Sequence, residues 1–96
     1  MREIRRRSEF KRNFRQKYRG MYSSVLVEGG EFDQVVIKLA NDIPLEPKYR
    51  DHALHGKMEG SRECHIWPDL LLVYRYEGDY LILLEMLGSH AELFGM

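Results

Sequence analysis

Ninety-six residues, 44% of them apolar and 31% charged, suffice for one packed domain and not for two, and they exclude both a disordered chain and a membrane-embedded one. The formal net charge of zero conceals a division, because residues 1–20 hold nine Lys or Arg against Glu3 and Glu9, a surplus that the remainder cancels. No apolar run approaches the roughly 18 residues of a membrane span, and the single cysteine cannot close an internal disulfide, so a cytoplasmic address is expected.

Residues 2–7 contain one apolar side chain, Ile4, so a strand there belongs at a sheet edge, where its arginines discourage further pairing. Ser8 is placed to cap a helix in which Phe10, Phe14 and Tyr18 recur at i, i+4 and i+8, with Gly20 at its end. The stretch 21–28 suits a strand, a continuation of that helix or a bridge between helices. After Gly29-Gly30, the spacing of Phe32, Val35, Val36 and Leu39 predicts a second amphipathic helix, with Glu31 and Asp33 in its first turn. Pro44 and Pro47 hold the next segment extended.

Short strands are expected from there. Ala53–His55 leads to a turn around Lys57–Gly60, and Ser61–Trp67 follows. Alternation puts Arg62, Cys64 and Ile66 on one face and Glu63, His65 and Trp67 on the other. Leu70–Tyr76, apolar on both faces, reads as a central strand, and Tyr80–Leu87 pairs with it across Glu77-Gly78-Asp79. Helices followed by an antiparallel meander make an α+β domain.

All four histidines (His52, His55, His65 and His90) lie after residue 49, which invites acid–base chemistry. Neither His52 and His55, three apart, nor the adjacent Cys64-His65 pair has the spacing of a zinc site, so no metal is expected. Cys64 shares its face with Ile66 and reads as a packing residue. Metal-independent RNA cleavage fits this composition better. A base removes the 2′-hydroxyl proton, an acid protonates the leaving 5′ oxygen, and a cation meets the phosphoryl charge. Trp67 and Phe94 are suited to stacking on the flanking bases. The basic N-terminal block is expected to dock on a polyanion or an acidic protein.

The string IPLEPKYRDHALHG, followed by GSRECHIWPDLLLVYRYEGDYLILLEMLGSHAELFG, resembles the YafQ branch of the RelE superfamily of bacterial toxin ribonucleases. The order YRDH, L-x-G, GxRExHIxPD, GSHxxLF carries the resemblance over residues 31–95, and the N-terminal third matches loosely. It implies one RelE-like domain over residues 1–96, with a microbial-ribonuclease-like fold. Two N-terminal helices pack on one face of a small antiparallel sheet, with the cleft on the other. It also implies ribosome-dependent mRNA cleavage without a cofactor, contact with rRNA, and inhibition by a co-encoded antitoxin of the DinJ or RelB type. The free protein would be a monomer and the inhibited form a heteromeric complex.

The resemblance places His52, His65, Asp69, His90 and Phe94 on functional positions, with Arg62 at a basic position and His55 outside the set. The roles it implies are His90 as general acid, His52 or Asp69 as general base, His65 positioning the phosphate or base, and Phe94 stacking. Arg62 or Lys57 would supply positive charge. One departure from the family pattern stands out, because members commonly carry arginine where this chain has Met86. A guanidinium there would stabilise the phosphoryl group. In a regular strand, however, Met86 shares a face with Ile82 and Leu84 that could be the core. Two other readings follow: a weakened protein of the same fold that binds antitoxin or ribosome without efficient cleavage, and a metal-binding regulator built on the histidines.

Overall fold

The computed structural model describes residues 1–20 and 22–88. The chain runs β1 (Glu3–Arg6), α1 (Ser8–Tyr18), α2 (Ser23–Leu26), α3 (Glu31–Ala40), β2 (His52–Ala53), β3 (Arg62–Trp67), β4 (Leu70–Glu77) and β5 (Tyr80–Leu87). Single 3-10 turns at Pro47–Tyr49 and Gly56–Met58 flank β2. The strands form one sheet in the order β1-β5-β4-β3-β2. The meander β3–β4–β5 and the short β2 are antiparallel.

β1 lies at the edge, as its composition requires, but it joins β5 in parallel, so the sheet is mixed. No hairpin links these two strands, and nothing local imposes the antiparallel sense. Backbone bonds from Glu3 to Asp79 and from Arg7 to Leu83 fix the strand at both ends. Ile4 packs against the core, while Arg5 and Arg6 stay exposed.

Residues 23–26 form a short helical bridge between the two longer helices. Gly30 lets this bridge turn tightly into α3: a Cβ there would lie 2.9 Å from both the Val25 and Val27 carbonyl oxygens. Gly29 donates its amide to Asp33 Oδ2 at 2.8 Å, which ties the turn to the helix it begins. Ser8 is the first helical residue of α1 rather than its cap, a position held by Arg7 without a side-chain bond.

The apolar stripes of α1 and α3 meet through Phe10, Phe14 and Phe32, whose ring centroids lie 5.6–5.9 Å apart. These helices cover one sheet face, burying Cys64 and Ile66 of β3, Leu70, Leu72 and Tyr74 of β4, and Leu81, Leu83 and Met86 of β5. The hydrophobic driving force is concentrated on this side.

Two bulges change which side chains share a face. On β5, Val73 pairs with Glu85 but Tyr74 with Leu83, leaving Leu84 as the extra residue. Met86 therefore joins Leu81 and Leu83 in the core instead of Ile82, and it is 1% exposed. The second bulge lies between His65 and Trp67, with His65 opposite Leu71 and Trp67 opposite Leu70. Trp67 thereby leaves the face of His65 for the helix side, at the end of the sheet. Among the described residues, no helix is long and apolar enough to cross a membrane.

Candidate active site

The face of the sheet turned away from the helices, here called the open face, is where strand alternation sends Glu63 and His65 of β3, Leu71, Val73 and Arg75 of β4, and Ile82, Glu85 and Leu87 of β5, although Leu71, Val73 and Ile82 are themselves buried. β2 adds His52 directly opposite Glu63. Glu63 Oε1 lies 3.6 Å from His52 Nε2 and 3.9 Å from His65 Nε2. The two imidazole centroids are 6.3 Å apart. His65 and Glu63 are mostly covered, with side chains 16% and 17% exposed, whereas His52 is 47% exposed.

The second nitrogen of each ring meets a backbone carbonyl. His52 Nδ1 is 2.5 Å from Arg50 O, and His65 Nδ1 is 3.4 Å from Pro68 O. A ring that donates its Nδ1–H to a carbonyl leaves Nε2 to accept or release a proton, and both Nε2 atoms point at one carboxylate. The arrangement can therefore move a proton at a solvent-facing imidazole and hold the resulting positive charge.

Behind this pair lies a polar clamp on the helix side. Asp51 Oδ1 accepts from Arg62 Nε at 3.3 Å and from the Tyr74 hydroxyl, while Arg62 Nε also approaches that hydroxyl oxygen at 3.3 Å. Burial and the bond to Asp51 push the Tyr74 hydroxyl well above its ordinary value. The bond to Tyr74, with Asp51 nearby, raises the Arg62 guanidinium in turn. Asp51 directly precedes His52, so the clamp fixes the backbone from which His52 projects. Arg50 before it adopts the left-handed conformation, φ 46°, that turns the chain into β2.

Arg62 is thus on the opposite face of β3 from His65, and the fold does not bring it to the histidine pair. Asp69 lies in the turn between β3 and β4, where its backbone carbonyl accepts from the Tyr22 hydroxyl at 3.3 Å. Lys57 is exposed in the 3-10 turn Gly56–Met58, and His55 is exposed just before it. His90 and Phe94 lie outside the described residues. Cys64 is fully buried, and burial pushes its thiol far above the ordinary range, so it packs and does not react.

Three residues escaped the sequence reading. Glu63 bridges the histidines, and its position two before His65 in a strand was the available signal. Arg75 lies two residues beyond Val73 on the open face, hidden within a strand that read as apolar throughout. With Arg7, Met58 and Glu85 it lines a groove of about 330 Å³. Glu31, at the start of α3, accepts from Trp67 Nε1 at 2.9 Å and from the Tyr49 hydroxyl at 2.8 Å. Burial and Glu31 together push that hydroxyl up to about 12.

The basic block forms a separate surface. Arg6, Lys11, Arg15 and Arg19 surround a groove of about 400 Å³ floored by Phe10, Phe14 and Tyr18. Among the described residues, no three His, Cys, Asp or Glu side chains gather as a metal ion would require.

Comparison with known proteins places these features in a family. The model of the bacterial toxin of type II toxin-antitoxin systems, YafQ, matches residues 2–95. The mRNA interferase toxin YafQ of Escherichia coli K12 is 39% identical over 61 residues, 64% of this chain and 65% of its own length. A putative toxin YafQ of Haemophilus influenzae is 44% identical over 48 residues, 50% of this chain and 47% of that one. The chain thus matches less than two thirds of the length of either curated relative. Among solved structures, a copper-bound mutant toxin from Helicobacter pylori has a TM-score of 0.80 at 41% identity, covering 98% of this chain and 100% of that one. The Escherichia coli DinJ-YafQ complex has a TM-score of 0.74 at 28% identity, covering 99% and 100%.

Proposed function

Because the chain belongs to the YafQ family of bacterial toxins of type II toxin-antitoxin systems, we propose that it is an endoribonuclease that cuts mRNA on the ribosome. The observation that carries this reading is the pair of imidazoles bridged by Glu63 on the open face of the sheet. His52, the more exposed of the two, is suited to take the proton from the 2′-hydroxyl at Nε2. The 2′ oxygen then bonds to the adjacent phosphorus, and the bond to the 5′ oxygen breaks. Protonation of that leaving oxygen falls to His90, a role that rests on the resemblance of GSHAELF to the family motif. The products are a 2′,3′-cyclic phosphate and a 5′-hydroxyl, with no change of oxidation state and no need of a cofactor.

His65, held by Glu63 and the Pro68 carbonyl, positions the phosphate or the base. Arg75 stands on the open face and is paired there with Glu77 at 2.5 Å, while the position at which the resemblance implies an arginine is held by Met86, buried on the opposite face. Asp69 is the alternative base, and Phe94 is a stacking residue by the same resemblance. The basic groove on α1 is the docking surface for rRNA, by phosphate contacts of the kind lysine and arginine make. An antitoxin similar to DinJ would hold the toxin inactive. This reading assigns the chain to the cytoplasm.

Expression in a bacterial host, with primer extension on its mRNA, tests the reading. Growth arrest with discrete mRNA cuts is expected, and His52→Ala and His90→Ala should relieve both. A chain that binds ribosomes yet leaves mRNA intact would favour the weakened-protein reading, for which the buried methionine at position 86 is the specific observation.

A further inference from the structure

β2 is only two residues long, so β3 has no strand neighbour on that side beyond Glu63. The 3-10 turn Pro47–Tyr49 lies alongside instead, leaving a cavity of about 370 Å³ whose walls include Glu31, Lys48, Tyr49, His65 and Trp67. That volume is within the range of small-molecule sites, and His65 belongs to both this cavity and the histidine pair. We infer that this cavity is a nucleobase subsite: the ring of Trp67 stacks on the base next to the scissile phosphate, and Glu31 is the positioning residue that holds the ring. The identity of the ligand as RNA rests on the ribonuclease reading above.

The bulge between His65 and Trp67 aims the indole here, and without it the ring would sit beside His65 on the open face. Trp67 remains 45% exposed even so. A large aromatic ring left half in water is ordinarily free to change rotamer, but this one donates its N–H to Glu31 Oε2. The other carboxylate oxygen is held by the hydroxyl of Tyr49, itself 7% exposed. Glu31 is therefore fixed from the core and fixes the indole in turn, so a base meets a platform already in place. Lys48 Nζ lies 4.0 Å from Glu31 Oε1 with its side chain 62% exposed, which sets an ammonium beside the platform where a nucleotide's phosphate would run. A flat aromatic surface with one adjacent cation suits a nucleotide better than a peptide side chain. Stacking tolerates any base, so the subsite should prefer larger rings and not a particular hydrogen-bonding edge.

Trp67 is the chain's only tryptophan, so its fluorescence reports this cavity directly. The probe is an RNA trinucleotide 2′-O-methylated throughout, which blocks attack, titrated to millimolar concentration into the full chain. A second form lacks one base flanking the blocked position. The intact probe should quench Trp67 to saturation. Anisotropy of a dye-labelled probe should show binding weakened about 5- to 150-fold by removal of one of the two flanking bases. Trp67→Leu should cause the same loss and make binding indifferent to that base. Trp67→Phe, which keeps a ring, should retain most of the affinity and guards against misfolding of the leucine variant. Glu31→Ala should weaken binding of the intact probe and leave binding of the abasic one unchanged.

Absence of quenching by the intact probe overturns the subsite. So do equal affinities of wild type and Trp67→Leu, and so does antitoxin binding lost in Trp67→Leu while RNA binding is retained, which would make the cavity a protein contact. Base-dependent quenching in a chain that never cleaves mRNA keeps the subsite and removes the ribonuclease reading. Cleavage that depends on His52 without base-dependent binding does the reverse.

Discussion

The two faces of β3 are built from neighbouring residues and have opposite fates. Glu63 and His65 stand on the open face with their polar atoms turned toward each other and His52. Cys64 and Ile66, interleaved with them, are fully covered by the helices, and Arg62 is committed to Asp51 and Tyr74 at the edge of that covered side. Strand alternation, and not membership of a motif, decides the face a residue serves. Arg62 sits one residue from Glu63 in sequence, yet it holds Asp51 and Tyr74 behind His52 and does not face the histidine pair.

The largest effects of substitution are expected on the open face. His52→Ala should slow single-turnover cleavage of ribosome-bound mRNA by about 10²–10⁴-fold, the usual contribution of a positioned acid or base, while thermal unfolding stays near wild type. Glu63→Gln should have a smaller effect in the same direction, because the amide keeps the shape but cannot hold an imidazolium. A chain that melts much earlier in either variant would make the bridge a stability element.

The covered face should answer in stability. Met86→Arg would place a guanidinium among Leu72, Leu81 and Leu83, and burying an unpaired charge there should cost several kcal/mol. Introducing the arginine that the family resemblance implies is therefore expected to weaken the fold and not to raise the rate. A stable Met86→Arg protein, judged by thermal unfolding, would contradict the placement of this side chain.

Tyr74→Phe tests the link between the faces. Removing the hydroxyl takes one partner from Asp51, at a cost of about 1–3 kcal/mol. If the clamp positions His52, cleavage at saturating ribosomes should fall severalfold as well. Loss of stability with an unchanged rate would confine the clamp to folding.

The smallest expected effect is at Cys64. Cys64→Ala should cost about 1 kcal/mol and leave cleavage intact. Because burial raises the thiol above its unfolded value, its contribution is complete below the free-thiol range near pH ~8.5 and lost as pH rises beyond it. Tyr49 and Tyr74, raised in the same sense, add to that loss only above about pH 10. Denaturant unfolding across this range should show the loss between about pH 8.5 and 10 in wild type and not in Cys64→Ala. An identical pH profile for the two proteins would contradict the burial of the thiol.

Local periodicity made most of the architecture legible. The 3.6-residue spacing of Phe32, Val35, Val36 and Leu39 and the apolar runs around Gly78 are properties of neighbouring residues, and the helix and hairpin they predict are present. The edge placement of β1 followed from its arginines. Its parallel pairing did not, because that depends on β5, more than seventy residues away. The sequence also supplied the residue types of the site, since His52, His65 and the alternation that exposes His65 could be read directly. What joins them could not. The two-residue β2 that sets His52 opposite Glu63 is too short to carry a pattern. The extra residues at Leu84 and between His65 and Trp67 reverse the faces of Met86 and Trp67 without leaving a signature in composition. Alternation has a period of two, so a single inserted residue inverts everything beyond it. The bulges appear only in the pairing of β3 and β5 with β4, which is why the tertiary structure alone could assign Met86 to the core and Trp67 to Glu31.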